Sequence, residues 1–336
     1  MTTIKDVARL AGVSPSTVSR VLGGKNVVNE ATRRMVLEAV EQTGYVPNPL
    51  AQSLKMGSSD TIALMVPSIE NPTVPIITRG VEDVARKNGF SVVLCNTDED
   101  QQVERAFIDK MKLRWVAGFL VCTAVPGADY IARLRQENFP VVLANRFNQG
   151  DEAHMDTVAV DNYQIGYDAA AYLIRCGCRR IAIARGNMDI RLYAERDAGC
   201  RAALADAGLP FEERLVLPPG SNESYYAAAR ALCQGPDRPD GIFATSDPKA
   251  LVILHALHDM HLRIPEDCAV IGVDNVSFSA MAEPPLTTIA QPLYEIGAAA
   301  ARKLIAQIRY KGKYGVLPPP STEVLPHDLI VRRSTP

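Results

Sequence analysis

The stretch AGVSPSTVSRVLGG, residues 11–24, has the length of one short helix and very little to bury. Its helical part offers only Val18, Val21 and Leu22 as an apolar stripe, at the i, i+3, i+4 spacing of a single helix face. The other side carries Ser14, Ser16, Thr17, Ser19 and Arg20. Ser14 is placed as an N-cap and Pro15 as the first helical residue, where a missing N–H leaves nothing unpaired. Gly12 breaks the segment before it, in which Ile4, Val7, Ala8 and Ala11 recur on one face. After it, NEATRRMVLEAVEQTGY (29–45) predicts a third helix. That helix opens at Asn29, turns Met35, Val36, Ala39 and Val40 inward and closes at Gly44.

A helix, a glycine turn and a second helix with a bare polar side make a helix-turn-helix pattern, which seats its second helix in the major groove of DNA. Arg20 has the reach and the paired N–H groups to read guanine, and Ser16 can donate or accept. The hydroxyls of Ser14, Thr17 and Ser19 suit phosphate oxygens, as does the helix N-terminus. A small solvated helical domain would share the turn. Charge distribution favours the polyanion: residues 1–57 carry seven basic and four acidic side chains, the remainder 29 basic and 34 acidic.

The chain of 336 residues is long enough for two or three domains. Its 47% apolar and 22% charged content excludes a disordered or fibrous class. Seven cysteines, an odd number without framework spacing, argue against a disulfide scaffold. Neither a leader-like apolar region after Met1 nor a membrane-length apolar run is seen, so a soluble cytoplasmic protein is expected, with no membrane partner.

Residues 47–60 read as a joint between a head (1–46) and a body (61–336). Pro47 and Pro49 open it, Gly57, Ser58 and Ser59 loosen it, and the intervening NPLAQSLKM could form about two helical turns. In the body, short apolar runs such as TIALMVP, AGFLVCT, PVVLANR, RIAIARG and CAVIGVD alternate with helical stretches. The expected fold class is α/β: two doubly wound, parallel-sheet subdomains behind an α helix-turn-helix head. Strand ends carry Ser68, Asn96, Thr123, Arg146, Asp161, Asp247 and Asp274, where such sheets hold ligands.

TIKDVARLAGVSPSTVSRVLGGK and VNEATRRMVLEAVEQTGYVPNPLAQSLK together resemble the amino-terminal signature of the lactose/galactose/purine repressor family. The resemblance continues through DNYQIG, RDAGCRAALADAGLP, IPEDCAVIGVDN and PPLTTIAQPLYEIG, and so covers the whole chain. It implies base contacts from Pro15, Ser16 and Arg20, and phosphate contacts from Ser14, Thr17, Ser19, Asn29 and Tyr45. It implies a hinge helix in the minor groove through Asn48, Ala51, Leu54 and Lys55, with Leu54 as a wedge between base pairs. Pro15 departs from relatives with a polar side chain there and can offer only apolar contact.

The body then resembles periplasmic sugar-binding proteins, with crossovers near residues 161, 290 and 322. The resemblance divides it into subdomain one, about 61–160 plus 291–321, and subdomain two, about 162–289 plus 322–336. It puts Arg196 and Asp274 at the main effector contacts, able to hold hydroxyls bidentately, with Thr73, Asn145, Arg146, Asp161 and Asp247 as further lining. Thr73, Cys200 and Gly220 stand where relatives often carry aromatic residues, which leaves the effector class open between a sugar, a nucleobase, another small polar molecule and none. Glu283 stands where the branch that binds a phosphorylated carrier protein has a basic residue, and it would repel that partner.

The expected function is a homodimeric DNA-binding repressor on a palindromic operator, controlled by a small-molecule effector. The chain stops at VRRSTP without an added heptad segment, which favours a dimer over a tetramer. No catalytic constellation, cofactor loop or metal set is expected. His255, His258 and His261 lie three apart and read as a solvated helix face, and CGC (176–178) as one buried and one surface thiol. The alternatives are a solute-binding protein, a regulator answering to a protein partner, and an enzyme on the same fold.

Overall fold

The computed structural model describes residues 2–23, 28–45, 59–113, 116–125, 127 and 129–336. Contacts divide the chain into one unit within Met1–Ser59 and another from Asp60 to Pro336.

The first unit contains α1 (Ile4–Leu10), α2 (Pro15–Leu22) and α3 (Glu30–Thr43). Gly12 takes φ +64° between the first two, a conformation that costs a residue with a Cβ. Val7, Ala8, Ala11, Val18, Val21, Val36 and Ala39 form its core, with Ile4, Val40 and Tyr45 packed around them. Met35, expected to face inward, is instead 48% exposed. It precedes the inward Val36 by one position, or about 100° around the helix. Asn29 caps α3 by accepting from Thr32 N at 2.8 Å, and Gly44 ends it in the left-handed region.

Among the described residues of the second unit, twelve strands form two six-stranded sheets. Sheet one orders as β11-β5-β4-β3-β1-β2 and is parallel throughout. Its strands are β1 (Thr61–Val66), β2 (Ser91–Asn96), β3 (Gly118–Val121), β4 (Val141–Ala144), β5 (Asp156–Val160) and β11 (Thr322–Leu325). Sheet two orders as β12-β10-β9-β8-β6-β7. Its strands are β6 (Ile181–Ala184), β7 (Val216–Leu217), β8 (Gly241–Ala244), β9 (Ala269–Asp274), β10 (Thr287–Ala290) and β12 (Asp328–Ile330). Only β12 runs antiparallel, against β10. Central strands are buried along their whole length, because helices cover both faces.

In sheet one, α4 (Thr73–Lys87) and α12 (Leu293–Tyr314) pack together on one face, and α5 (Gln101–Leu113) and α6 (Asp129–Gln136) lie against the other. In sheet two, α7 (Asn162–Arg175) pairs with α8 (Arg191–Asp206), while α9 (Asn222–Cys233) and α10 (Asp247–Asp259) take the far side. A short α11 (Ser277–Met281) follows β9. The α7–α8 contact is main chain against main chain. A Cβ on Gly166 would lie 2.0 Å from the Arg196 carbonyl oxygen, and one on Gly199 would lie 2.0 Å from that of Tyr163.

The chain passes between the sheets after β5, after β10 and after β11. The last passage lies beyond Leu325 rather than near residue 322: residues 322–325 belong to sheet one, where Thr322 pairs with Thr157 and Leu325 with Val160. The short β7 and β11 carry too few apolar residues to stand out as strands. Buried Asp156 braces this region, accepting from Arg135 Nη1 (3.2 Å), Gln307 Nε2 (2.5 Å) and Ser321 N and Oγ (3.0 and 2.9 Å). Buried Glu104 locks the other side of sheet one, accepting from Thr123 Oγ1 and Tyr130 OH.

Candidate nucleic-acid interface and ligand cleft

In the first unit, α2 buries Val18 and Val21 and leaves Pro15, Ser16 and Arg20 exposed. Ser14 caps the helix, accepting from Thr17 N at 3.2 Å. Its Oγ also lies 2.7 Å from Ser16 Oγ and 2.9 Å from Thr17 Oγ1. Three hydroxyls therefore cluster at the helix N-terminus, where main-chain N–H groups already favour an anion. Ser19 and Thr17 are half-buried, Asn29 is exposed at the cap of α3, and Tyr45 is half-buried against the core. This arrangement can place a guanidinium, a hydroxyl and a pyrrolidine ring against base edges and a ring of hydroxyls against phosphates. Asn48, Ala51, Leu54 and Lys55 lie outside the described residues.

In the second unit, carboxyl ends of strands from both sheets border a cleft. Asn71, Thr73, Asn145 and Arg146 line it from one sheet, and Tyr193, Arg196, Ser246, Asp274 and Gln291 from the other and its crossover. Asn145 (φ 63°) and Asp274 (φ 121°) hold backbone conformations that L-residues disfavour, a strain that collects at working sites. A smaller recess shares Asn145 and adds Phe147, Asn162 and Arg191. The Arg191 guanidinium sits 5.0 Å from the Phe147 ring centre.

Among the described residues, Arg196 is the largest fully buried side chain. Its Nε donates to Asn162 Oδ1 at 3.0 Å and its Nη1 to the Thr245 carbonyl at 2.6 Å. Burial draws the guanidinium's pKa down, against the pull of Asp274. Asp274 accepts from Gln291 Nε2 at 2.6 Å; burial raises its carboxyl and Arg196 works in the opposite sense. Arg146 is also buried and pairs through Nη2 with Glu99 at 2.7 Å. Its Nε–H has no partner, nor does the Gln291 Oε1. Thr73 reaches the cleft wall, but its hydroxyl already donates to Asn71 Oδ1 at 2.8 Å.

Two expected contacts are placed elsewhere. Asp161 is exposed and caps α7, accepting from Gln164 N at 2.9 Å; the neighbouring Asn162 faces the recess and holds Arg196. Asp247 is fully buried behind the cleft wall. It accepts from Val276 N (3.0 Å), Ser279 Oγ (2.5 Å) and Thr288 Oγ1 (2.6 Å), and so clamps the turn after β9 onto β10. Burial, with the charge of Asp274 added, pushes its carboxyl up to about 7.

The cleft is not stripped of aromatics. Cys200 is buried in the apolar core and Gly220 lies exposed before α9, so neither borders the cleft. Tyr193 supplies the ring, with Lys249 Nζ 4.5 Å from its centre and donating to Ser246 Oγ at 3.0 Å. Burial alone would raise the Tyr193 phenol, yet Lys249, Arg146 and Arg196 together hold it below the ordinary range. The signal was available: Tyr193 precedes Arg196 by three residues, which puts both on one helix side. Gln291, directly after β10, was likewise legible as a strand-end residue.

His255 and His258 are exposed on α10, whereas His261 lies beyond its end at φ 57°. Cys178 is buried and Cys176 half-buried. Among the described residues no group of three His, Cys, Asp or Glu could hold a metal, and no helix is long and apolar enough to cross a membrane. Glu283 is exposed and pairs with Arg333 at 3.4 Å.

Comparison with known proteins adds three kinds of likeness. Residues 3–48 match the model of the bacterial regulatory proteins of the lacI family, and residues 170–335 that of the periplasmic binding protein-like domain. The ribose operon repressor of Halalkalibacterium halodurans is 36% identical over 312 residues, 93% of this chain and 92% of that protein. The solved complex of the transcriptional regulator CelR with cellobiose is 33% identical, with a TM-score of 0.75, over 99% of this chain and all of that one. The Lac repressor dimer bound to operator and the anti-inducer ONPF shares the fold, at 23% identity and a TM-score of 0.86, over 99% of this chain and 98% of that one.

Proposed function

The chain belongs to the lacI family of bacterial regulatory proteins, and we propose that it is a homodimeric repressor released from or recruited to a palindromic operator by a small effector. One observation carries the DNA half of this reading: α2 buries Val18 and Val21 and leaves Pro15, Ser16 and Arg20 uncovered. A helix of eight residues gains little by keeping that side bare unless something binds it. Arg20 and Ser16 read base edges, with Pro15 against an apolar base group. Ser14, Thr17, Ser19, Asn29 and Tyr45 fix the register on phosphates. Asn48, Ala51, Leu54 and Lys55 engage the minor groove. Two-fold symmetry of the protein asks for two-fold symmetry in the DNA.

The cleft supports effector sensing rather than turnover. Arg196, Asp274, Asn145, Arg146 and Thr73 are the proposed contacts, joined by Tyr193, Asn162 and Gln291; Asp247 braces the turn behind them, and Asp161 serves as the cap of α7. A ligand touching both sheets favours one angle between them, and that preference is passed to DNA affinity as a coupling of about 1–3 kcal/mol. Selecting duplexes from a random pool with the full-length protein, then measuring binding by gel shift, tests the reading. A palindromic consensus is expected; enrichment of no sequence at all would refute it.

A further inference from the structure

We propose that the ligand of the cleft is an anionic polyol: a monosaccharide-sized molecule whose carboxylate or phosphate sits between Arg146 and Arg196 and whose hydroxyls reach Asp274 and Gln291. The inference deepens the effector reading and rests on it. Two guanidiniums, both buried, line one small cavity, and among the described residues Asp274 is the one carboxylate that lines it. A third cation, Lys249, stands beside Tyr193 at the same wall. Buried charge of one sign is costly unless an opposite charge meets it. Arg196 has only Nε and Nη1 engaged by the protein, so guanidinium donors remain for an incoming group.

Two orphan atoms sharpen the description. Arg146 Nε is a buried donor without an acceptor, and Gln291 Oε1 is a buried acceptor without a donor. Each costs free energy as it stands. An oxyanion satisfies the first and a hydroxyl the second, so the complementary molecule carries both. A neutral sugar also satisfies both atoms but adds no negative charge to a wall that carries Arg146, Arg196 and Lys249. Three carboxylates oppose an anion here: Glu99, Asp274 and, behind the wall, Asp247, whose burial raises its carboxyl. Glu99, which is half-exposed, already pairs with Arg146 Nη2 at 2.7 Å and must yield to the ligand's anion there. Asp274 already has one oxygen on Gln291 Nε2. Burial eases its protonation.

The test compares matched pairs on the full-length protein by calorimetry and thermal shift: glucose with glucuronate and glucose 6-phosphate, ribose with ribose 5-phosphate, and inorganic phosphate alone. At least one anionic member is expected to bind about tenfold or more tighter than its neutral partner, with an affinity that falls as salt is added. Sugar acid against sugar phosphate decides the source of the charge. Arg146→Gln should bring the pair within about twofold, while Arg146→Lys, which keeps the charge, retains part of the preference. If the neutral members bind as tightly as the charged ones and Arg196→Lys abolishes it, the proposal fails and the effector site stands. If inorganic phosphate and every anionic sugar give no response that depends on Arg146, the proposal fails too. If no ligand responds to any cleft variant, the effector reading falls with it.

Discussion

Gly166 of α7 meets the main chain of Arg196 in α8 so closely that a Cβ would stand 2.0 Å from the Arg196 carbonyl oxygen. The helix that presents the buried guanidinium is therefore seated on a residue that has no side chain. Packing of the second sheet and geometry of the cleft become one problem: what moves α7 moves Arg196.

Gly166→Ala should destabilise the protein even though alanine favours a helix by up to about 1 kcal/mol. Overpacking of a tight contact costs about 1–3 kcal/mol and wins. A fall of several degrees in the melting temperature is expected, together with weaker ligand binding. A melting temperature that rises would mean that the two helices are not in main-chain contact.

For the head, Arg20→Ala should weaken operator binding by about 1–3 kcal/mol while leaving affinity for random duplex nearly unchanged. Ser14→Ala should act differently. It removes the cap of α2 at a cost of about 0.5–2 kcal/mol, and so lowers head stability and weakens all duplexes alike. Fluorescence anisotropy against operator and scrambled DNA separates the two effects.

Arg196→Lys should erase the effector response without abolishing DNA binding, because one ammonium cannot hold Asn162, the Thr245 carbonyl and a ligand together. The coupling expected to vanish is about 1–3 kcal/mol. An unaltered response in a DNA-binding titration with and without ligand would remove Arg196 from the site.

Asp247 gives the molecule a pH dependence of known sign. Its carboxyl is raised to about 7 by burial and by Asp274, above its ordinary value of 3.8. Between those values the folded state holds a proton that the unfolded chain has lost. The stabilisation from this group is thus complete below about pH 4 and disappears as pH rises through 7. Asp247→Asn cannot titrate, so it should gain on the parent between about pH 4 and pH 7, and hold that gain above it, in thermal melts at matched ionic strength. Parallel curves for the two proteins would contradict the assignment.

Asp156→Ala should cost about 3–5 kcal/mol, since it leaves the half-buried Arg135 charge without its carboxylate and removes one hydrogen bond from Gln307 and two from Ser321. Denaturant unfolding of the second unit is the measurement.

Much of this was legible in residue order. The bare side of α2, its Ser14 cap and the alternating strands of the body follow from periodicity and turn chemistry. What escaped did so for identifiable reasons. Strand β11 reads TEVL, with burial on alternate residues only, and it owes its sheet to a parallel partner more than 160 residues earlier. Asp161 and Asp247 sit at strand ends like true lining residues, but a strand end is also a helix start, and their carboxylates serve a cap and a clamp there. The orphan atoms of Arg146 and Gln291 exist only in three dimensions.

The interleaving of the two sheets also governs how the molecule comes into being. Strand β11 completes one sheet and β12 the other, and both lie in the last stretch of the chain. The three-helix head closes its core from residues 7–39 alone. On the ribosome, the head is therefore able to finish its core long before either sheet of the body can close.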